Sequence, residues 1–261
     1  MVLPVIYCTI VIKLLPKKER VVDNMIQKRM QIGNIPVILY GSASDKLFLY
    51  VHGKHSSKED AEYFVPIVER CGYQMMSFDL PEHGERINES YPCTVQNGVY
   101  DLKEMYSFIQ DKYTCISLYA CSLGAYFSLV AFQEVKFDRC LFLSPILDME
   151  RLILNMMKWS KISEDELKEK GEYQTSFGET LSWDYYEYVR NNPVKKWVSP
   201  TFILYGENDN LTERGVLDSF ARNNNCDVTI MPNGEHYFHT KDQLDYLENW
   251  LQRVACFLRF V

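Results

Sequence analysis

Residues 113–130 read YTCISLYACSLGAYFSLV. An apolar run closes into Ala120-Cys121-Ser122-Leu123-Gly124 and opens into a segment of helical character. A sharp strand-to-helix turn lifts one side chain clear of a sheet, and it requires small residues two before and two after that side chain. Centred on Ser122, those neighbours are Ala120 and Gly124; centred on Cys121, they are Tyr119 and Leu123, which do not fit. The register therefore selects Ser122 as the presented nucleophile and sends Cys121 into packing. The usual pattern has glycine at both flanks, and here Ala120 adds one methyl group.

Outward from this turn the chain alternates. Short apolar runs at 47–53, 73–80, 139–145, 201–209 and 226–234 join the run at 115–122, and each ends in turn residues. Continuous apolar character suits strands covered on both faces. Helical patterns fall between them, at 57–70, 95–112, 124–134, 214–223 and 241–257. Strands alternating with helices predict an α/β chain with a mainly parallel central sheet and helices on both faces. Residues 30–41 read as an initial hairpin turning at Gly33-Asn34. Residues 147–199 break the rhythm. They carry no obvious strand and suggest three helices, one opened by a capping box at Ser163 and Glu166 and one ended by Pro193. The interval reads as a helical cap inserted after the sixth strand of one domain spanning 21–261. Residues 1–20 read as an N-terminal extension or first strand.

A serine is a weak nucleophile unless a base takes its proton, and the base is itself oriented by a third group. The five histidines are His52, His55, His83, His236 and His239, and all lie just beyond predicted strands, on the edge where open α/β sheets bind ligands. His236 follows the last strand, and Asp209 follows the strand before it. The order Ser122, Asp209, His236 is a known order of nucleophile, acid and base. His239 stands as an alternative base, and Glu207 or Asp148 as alternative acids. Asp79 and His83 read as braces for their loop. His236 and His239 lack a third ligand at metal-site spacing, so no metal is expected.

Composition narrows the partners. The 261 residues carry a net charge of −7, which argues against a nucleic-acid footprint. Eight cysteines are scattered without a CxxC pair, and Cys115, Cys121 and Cys140 lie inside apolar runs. Cysteine used as a small hydrophobe suits a reducing compartment, so a cytoplasmic protein without a disulfide framework is expected. The apolar stretch at the N-terminus precedes its basic residues, the reverse of a secretory signal. It is also shorter than the ~20 residues of a spanning helix, so no stable membrane anchoring is expected.

Four motifs, LYVHGK (49–54), FDLPEHGER (78–86), ACSLG (120–124) and the pair YGEND (205–209) with GEH (234–236), together resemble the α/β-hydrolase family over nearly all of 30–257. The second motif departs from the family's Asp-Xaa-Xaa-Gly-His-Gly form by carrying Glu82 where glycine is usual. The resemblance implies an α/β-hydrolase fold and a Ser122, Asp209, His236 triad. It also implies an oxyanion hole made by the backbone N–H groups of Lys54 and Leu123, and no cofactor. The loops and modest cap are similar to those of monoacylglycerol-lipase-like and cinnamoyl- or feruloyl-esterase-like members. The expected activity is hydrolysis of small-molecule carboxylic esters with small or medium apolar or aromatic acyl groups. Thioester, amide or carbon–carbon bond hydrolysis on the same triad is the alternative, as is ligand binding without turnover. Trp183 and Tyr186, in the aromatic cluster WDYYEY, are expected to contact substrate from the cap.

Overall fold

The structure, a computed structural model, describes residues 26–256; the expectation for residues 1–20 lies outside them. Eight strands form one sheet in the order β1-β2-β4-β3-β5-β6-β9-β10. They are β1 (Gln27–Ile32), β2 (Ile35–Tyr40), β3 (Lys46–Val51), β4 (Gln74–Phe78), β5 (Cys115–Cys121), β6 (Cys140–Leu143), β9 (Thr201–Gly206) and β10 (Asp227–Met231). β1 pairs antiparallel with β2, and β2 with β4; every other pairing in this sheet is parallel. The β1–β2 hairpin closes at Ile32↔Ile35, and Gly33 takes φ 57 in its turn, a conformation glycine reaches without a Cβ penalty.

Strand side chains alternate between faces, and this alternation builds two cores. From β3 and β5, Leu47, Leu49, Val51, Leu118 and Ala120 enter one core, while Phe48, Tyr50 and Tyr119 enter the other. The first core includes residues of α2 (Val95–Ile109) and α3 (Ser122–Ala131). The second includes residues of α1 (Val65–Arg70) and α8 (Lys241–Ala255). α7 (Arg214–Asn224) contributes Leu217 to the first. Among the described residues no helix is long and apolar enough to cross a membrane.

The insertion lies between β6 and β9 and packs into the first core. It holds α4 (Met149–Ser160), α5 (Glu164–Lys170) and α6 (Trp183–Asn191). Ser163 and Glu166 form the capping box expected at the start of α5. Contrary to expectation, it also contains a small antiparallel hairpin, β7 (Glu172–Gln174) with β8 (Thr180–Ser182). Strands of three residues are too short to register as alternation, and positive-φ glycines at 171 and 178 supply the bends.

Two further expectations change. The helix at 57–70 divides into a 3-10 helix, Lys58–Tyr63, and α1. Pro66 lacks an amide hydrogen, so it is tolerated only in the first turn of a new helix. Cys71 and Cys256 form a disulfide, with Cα atoms 5.2 Å apart. They cap the C-termini of α1 and α8, which lie side by side. Their proximity comes from topology across 185 residues, which sequence spacing cannot reveal, and it removes cysteine usage as an argument for a reducing compartment.

Candidate active site

The turn from β5 into α3 holds Ser122 at φ 46, a left-handed conformation costly for a non-glycine residue. A Cβ on Gly124 would lie 2.3 Å from the His52 carbonyl oxygen and 2.7 Å from that of Val51. Only glycine lets α3 close this tightly onto the end of β3. Gly53 approaches from the same side, where an added Cβ would meet the Ser122 Cβ at 3.3 Å.

Two loops bring the other groups. Asp209 follows β9, with its N–H donating to the Gly206 carbonyl at 2.9 Å, and His236 follows β10. The loops meet where Asn208 N–H donates to the Gly234 carbonyl at 2.7 Å. A Cβ on Gly206 would lie 2.4 Å from the Glu235 carbonyl oxygen. Ser122 Oγ is 2.9 Å from His236 Nε2, and His236 Nδ1 is 2.8 Å from Asp209 Oδ2. A carboxylate accepts from Nδ1–H, which leaves Nε2 with its lone pair toward the serine hydroxyl. The other Asp209 oxygen accepts from the N–H groups of Leu211 at 2.8 Å and Thr212 at 2.9 Å. The Asp209 carboxylate is fully buried and fixed on both oxygens.

The alternatives are occupied elsewhere. Glu207 accepts from Asn233 N–H at 2.9 Å, and Asp148 caps α4 through Arg151 N–H at 2.9 Å. His239 bonds the Tyr237 carbonyl, stacks on the Tyr237 ring and pairs with Glu235.

His52 is a site residue whose part the sequence did not distinguish among the five histidines. Its Nε2 accepts from Leu80 N–H at 3.0 Å, so Nδ1–H donates to the Gly53 carbonyl at 2.7 Å. Burial first, then the neighbouring His83, lowers its pKa to about 3. This neutral ring pins the Gly53–Lys54 turn to the loop after β4. That loop is braced as expected. Asp79 accepts from Lys58 Nζ at 2.5 Å, Lys58 N–H at 2.9 Å and Glu85 N–H at 3.0 Å, and His83 bonds the Pro81 carbonyl. Glu82, standing where glycine is usual, takes φ 59 and holds Cys93 N–H at 2.7 Å. Glycine would reach that conformation freely; here the carboxylate's bond accompanies it.

Leu123 is the residue after Ser122 in the first turn of α3, and Lys54 lines a cavity that also touches Ser122 and His236. The Lys54 ammonium pairs with Glu179 at the tip of the β7–β8 hairpin, a contact between the insertion and the loop after β3. The cavity, about 80 Å³, runs down the α1 and α8 face of the sheet. Tyr50, Tyr63, Phe64, Phe238, Leu244 and Leu247 make it apolar, and Ser56 and Asp60 line it too. Cys121 lines the same cavity; its thiol is 4.0 Å from the Tyr50 hydroxyl, and desolvation pushes its pKa up to about 12.

Trp183 and Tyr186 are not in this cavity. Tyr186 is 1% exposed in the opposite core, and Trp183 packs edge-on against it at 5.7 Å under the Lys168 ammonium. Helical spacing of aromatics marks a buried stripe and does not tell packing from ligand contact. Among the described residues no group of three or more His, Cys, Asp or Glu side chains is placed to hold a metal ion.

No family model matches the sequence, and no curated protein matches it. Solved structures do. Est1E from Butyrivibrio proteoclasticus, solved with ferulic acid bound, is similar at TM-score 0.69 and 15% identity over 86% of this chain and 96% of that one. Alpha/beta hydrolase domain-containing protein 10 from mouse is similar at TM-score 0.68 and 14% identity, over 87% and 96%. The Pyrococcus furiosus esterase Pf2001 is similar at TM-score 0.62 and 19% identity, over 89% and 90%.

Proposed function

We propose that the chain, which has the α/β-hydrolase fold these structures share, is a serine hydrolase of carboxylic esters. The observation that carries this reading is the hydrogen-bonded series from Ser122 through His236 to Asp209, at 2.9 and 2.8 Å. Ser122 Oγ attacks the ester carbonyl while His236 Nε2 accepts its proton. His236 then returns the proton to the departing alcohol, leaving an acyl-serine. Water, deprotonated by His236, attacks the acyl-serine and releases the acid. Asp209 keeps the imidazole in the working tautomer and stabilises the imidazolium formed in each half-reaction.

Negative charge develops on the carbonyl oxygen at each tetrahedral stage. The backbone N–H groups of Leu123 and Lys54 are assigned to receive it, and losing one such donor typically costs about 100- to 1000-fold in rate. The apolar lining of the cavity supports esters carrying an apolar or aromatic group. The ferulic acid bound by Est1E makes hydroxycinnamoyl esters a natural first series beside nitrophenyl esters of graded length.

A fluorophosphonate probe tests the nucleophile directly. The wild type and a folded Cys121→Ala variant are expected to label and to turn over nitrophenyl butyrate, and a folded Ser122→Ala variant to do neither. Labelling that persists in Ser122→Ala, at any residue, overturns the assignment.

A further inference from the structure

The residue after β6 repeats the conformation of the residue after β5. Cys121 and Leu143 are register partners in these neighbouring parallel strands, and neighbouring strands lie about 4.8 Å apart. The next residue on each strand is a serine, and both take a left-handed conformation, Ser122 at φ 46 and Ser144 at φ 42. Ser144 therefore stands beside the nucleophile at the same sheet edge, and it lines the same cavity.

The backbone holds this segment in place. Ser144 N–H donates to the Leu204 carbonyl at 2.9 Å and Ile146 N–H to the Ser122 carbonyl at 3.2 Å. Thr212 Oγ1 donates to the Pro145 carbonyl at 2.8 Å. The Ser144 hydroxyl is buried and finds no hydrogen-bond partner among the described residues. An unpaired buried hydroxyl is unfavourable, and so is φ 42 on a residue with a Cβ. Glycine would remove both costs. Other polar side chains on the wall have partners: Ser122 bonds His236, Ser56 bonds Asp60 and Lys54 pairs with Glu179. A hydroxyl both donates and accepts. A hydroxyl or keto oxygen lodged in the cavity would complete it, whereas a hydrocarbon would leave it unpaired.

We propose that Ser144 determines specificity by hydrogen-bonding a hydroxyl or keto oxygen that the substrate carries close to its scissile carbonyl. The position of Ser144 beside Ser122 puts that oxygen on the carbon next to the ester group or on the one beyond. The proposal rests on the ester-hydrolase reading and narrows its substrate class to hydroxy- or keto-substituted esters.

Three pairs of esters test it, each exchanging a hydroxyl for a methyl group. Phenyl lactate with phenyl isobutyrate, and phenyl β-hydroxybutyrate with phenyl isovalerate, make the change on the acyl side. β-Hydroxypropyl butyrate with isobutyl butyrate makes it on the alcohol side. Each ratio of kcat/KM is divided by the ratio of hydroxide-catalysed rates, which removes intrinsic reactivity. The wild type is expected to favour the hydroxyl member of at least one pair by about tenfold. In Ser144→Ala that preference is expected to fall to about twofold or less. If Ser144→Ala does not fold, Ser144→Gly, which suits φ 42, is expected to show the same fall. A merely structural role would lower both members of a pair together and leave the ratio alone. The absence of a corrected hydroxyl preference in every wild-type pair overturns the proposal, as does a folded Ser144→Ala or Ser144→Gly that keeps the preference.

Binding separates this proposal from the hydrolase reading. Saturation-transfer NMR compares amide analogues of the same pairs on the wild type and on Ser144→Ala. Tighter binding of the hydroxyl member that is lost in Ser144→Ala, with no ester hydrolysed, leaves the recognition by Ser144 standing and removes the hydrolase reading. Ester hydrolysis without a hydroxyl preference does the reverse. Equal binding with no hydrolysis removes both.

Discussion

On the α3 side of the sheet the insertion drives Leu152, Ile153, Leu181 and Tyr186 into a core where each is 6% exposed or less. On the α8 side Tyr63, Phe64, Leu244 and Leu247, residues of the same chemical kind, line a cavity that opens at Ser122. Both sides present apolar and aromatic residues at helical spacing. The four insertion residues fill their core, while the α8 side keeps a space beside Ser122. Interiors pack at near-crystalline density, so an unfilled space beside a presented nucleophile marks where a ligand fits. The aromatic content of a helix does not make that distinction.

Trimming one aromatic on each side breaks or sharpens the contrast. Tyr63→Ala is expected to lower kcat/KM for bulky or aromatic esters by about ten- to two-hundredfold relative to acetate esters. Tyr186→Ala is expected to cost about 3–5 kcal/mol in urea unfolding, as large-to-small core changes do, with no change in that ratio. Trp183→Ala is expected to leave the ratio alone. A shift in acyl preference in Trp183→Ala or Tyr186→Ala would put substrate on the insertion side and erase the contrast.

A smaller effect is expected where the two sides touch. Glu179 ties the insertion to Lys54, whose backbone N–H is assigned to the oxyanion. Glu179→Gln is expected to lower kcat by about two- to fivefold at constant KM, the scale of a partly exposed ion pair, with recovery in Glu179→Asp. A change in KM with kcat untouched would make Glu179 a substrate contact.

A further effect concerns His52, under the loop that both sides share. Burial holds its folded pKa at about 3, against an ordinary value of 6.5. The unfolded chain takes up this proton below its ordinary value, and the folded protein resists it until about 3. The contribution to stability is therefore full above the ordinary value and lost as pH falls toward the folded one. Melting curves should show His52→Asn starting below wild type at neutral pH. The gap should narrow progressively on acidification, at about 2–4 °C for each kcal/mol lost in a chain of this size. A gap that is constant or widens with acid would place the proton elsewhere.

The parallel sheet was legible because buried strands ending in turn residues leave long apolar runs, and Ser122 because the turn tolerates only small flanking residues. Asp209 and His236 were legible from their places after the last two strands. The hairpin at 172–182 was not, since each of its strands has three residues. Nor was the cavity, because whether neighbouring side chains meet or leave space depends on helices distant in sequence. The part played by His52 depends on a bond to Leu80, 28 residues away, and a single histidine in a motif does not announce that partner.

The bond between Cys71 and Cys256 has a topological consequence. It joins the end of α1 to the end of α8, so residues 71–256 form a covalent ring that contains Ser122, Asp209 and His236. One backbone cleavage anywhere inside that ring leaves the molecule in a single piece. The loops that carry the acid and the base stay tethered to the strand that carries the serine. In the unfolded chain the same ring keeps these three residues within a bounded volume, so the search that reunites them begins from a smaller set of conformations.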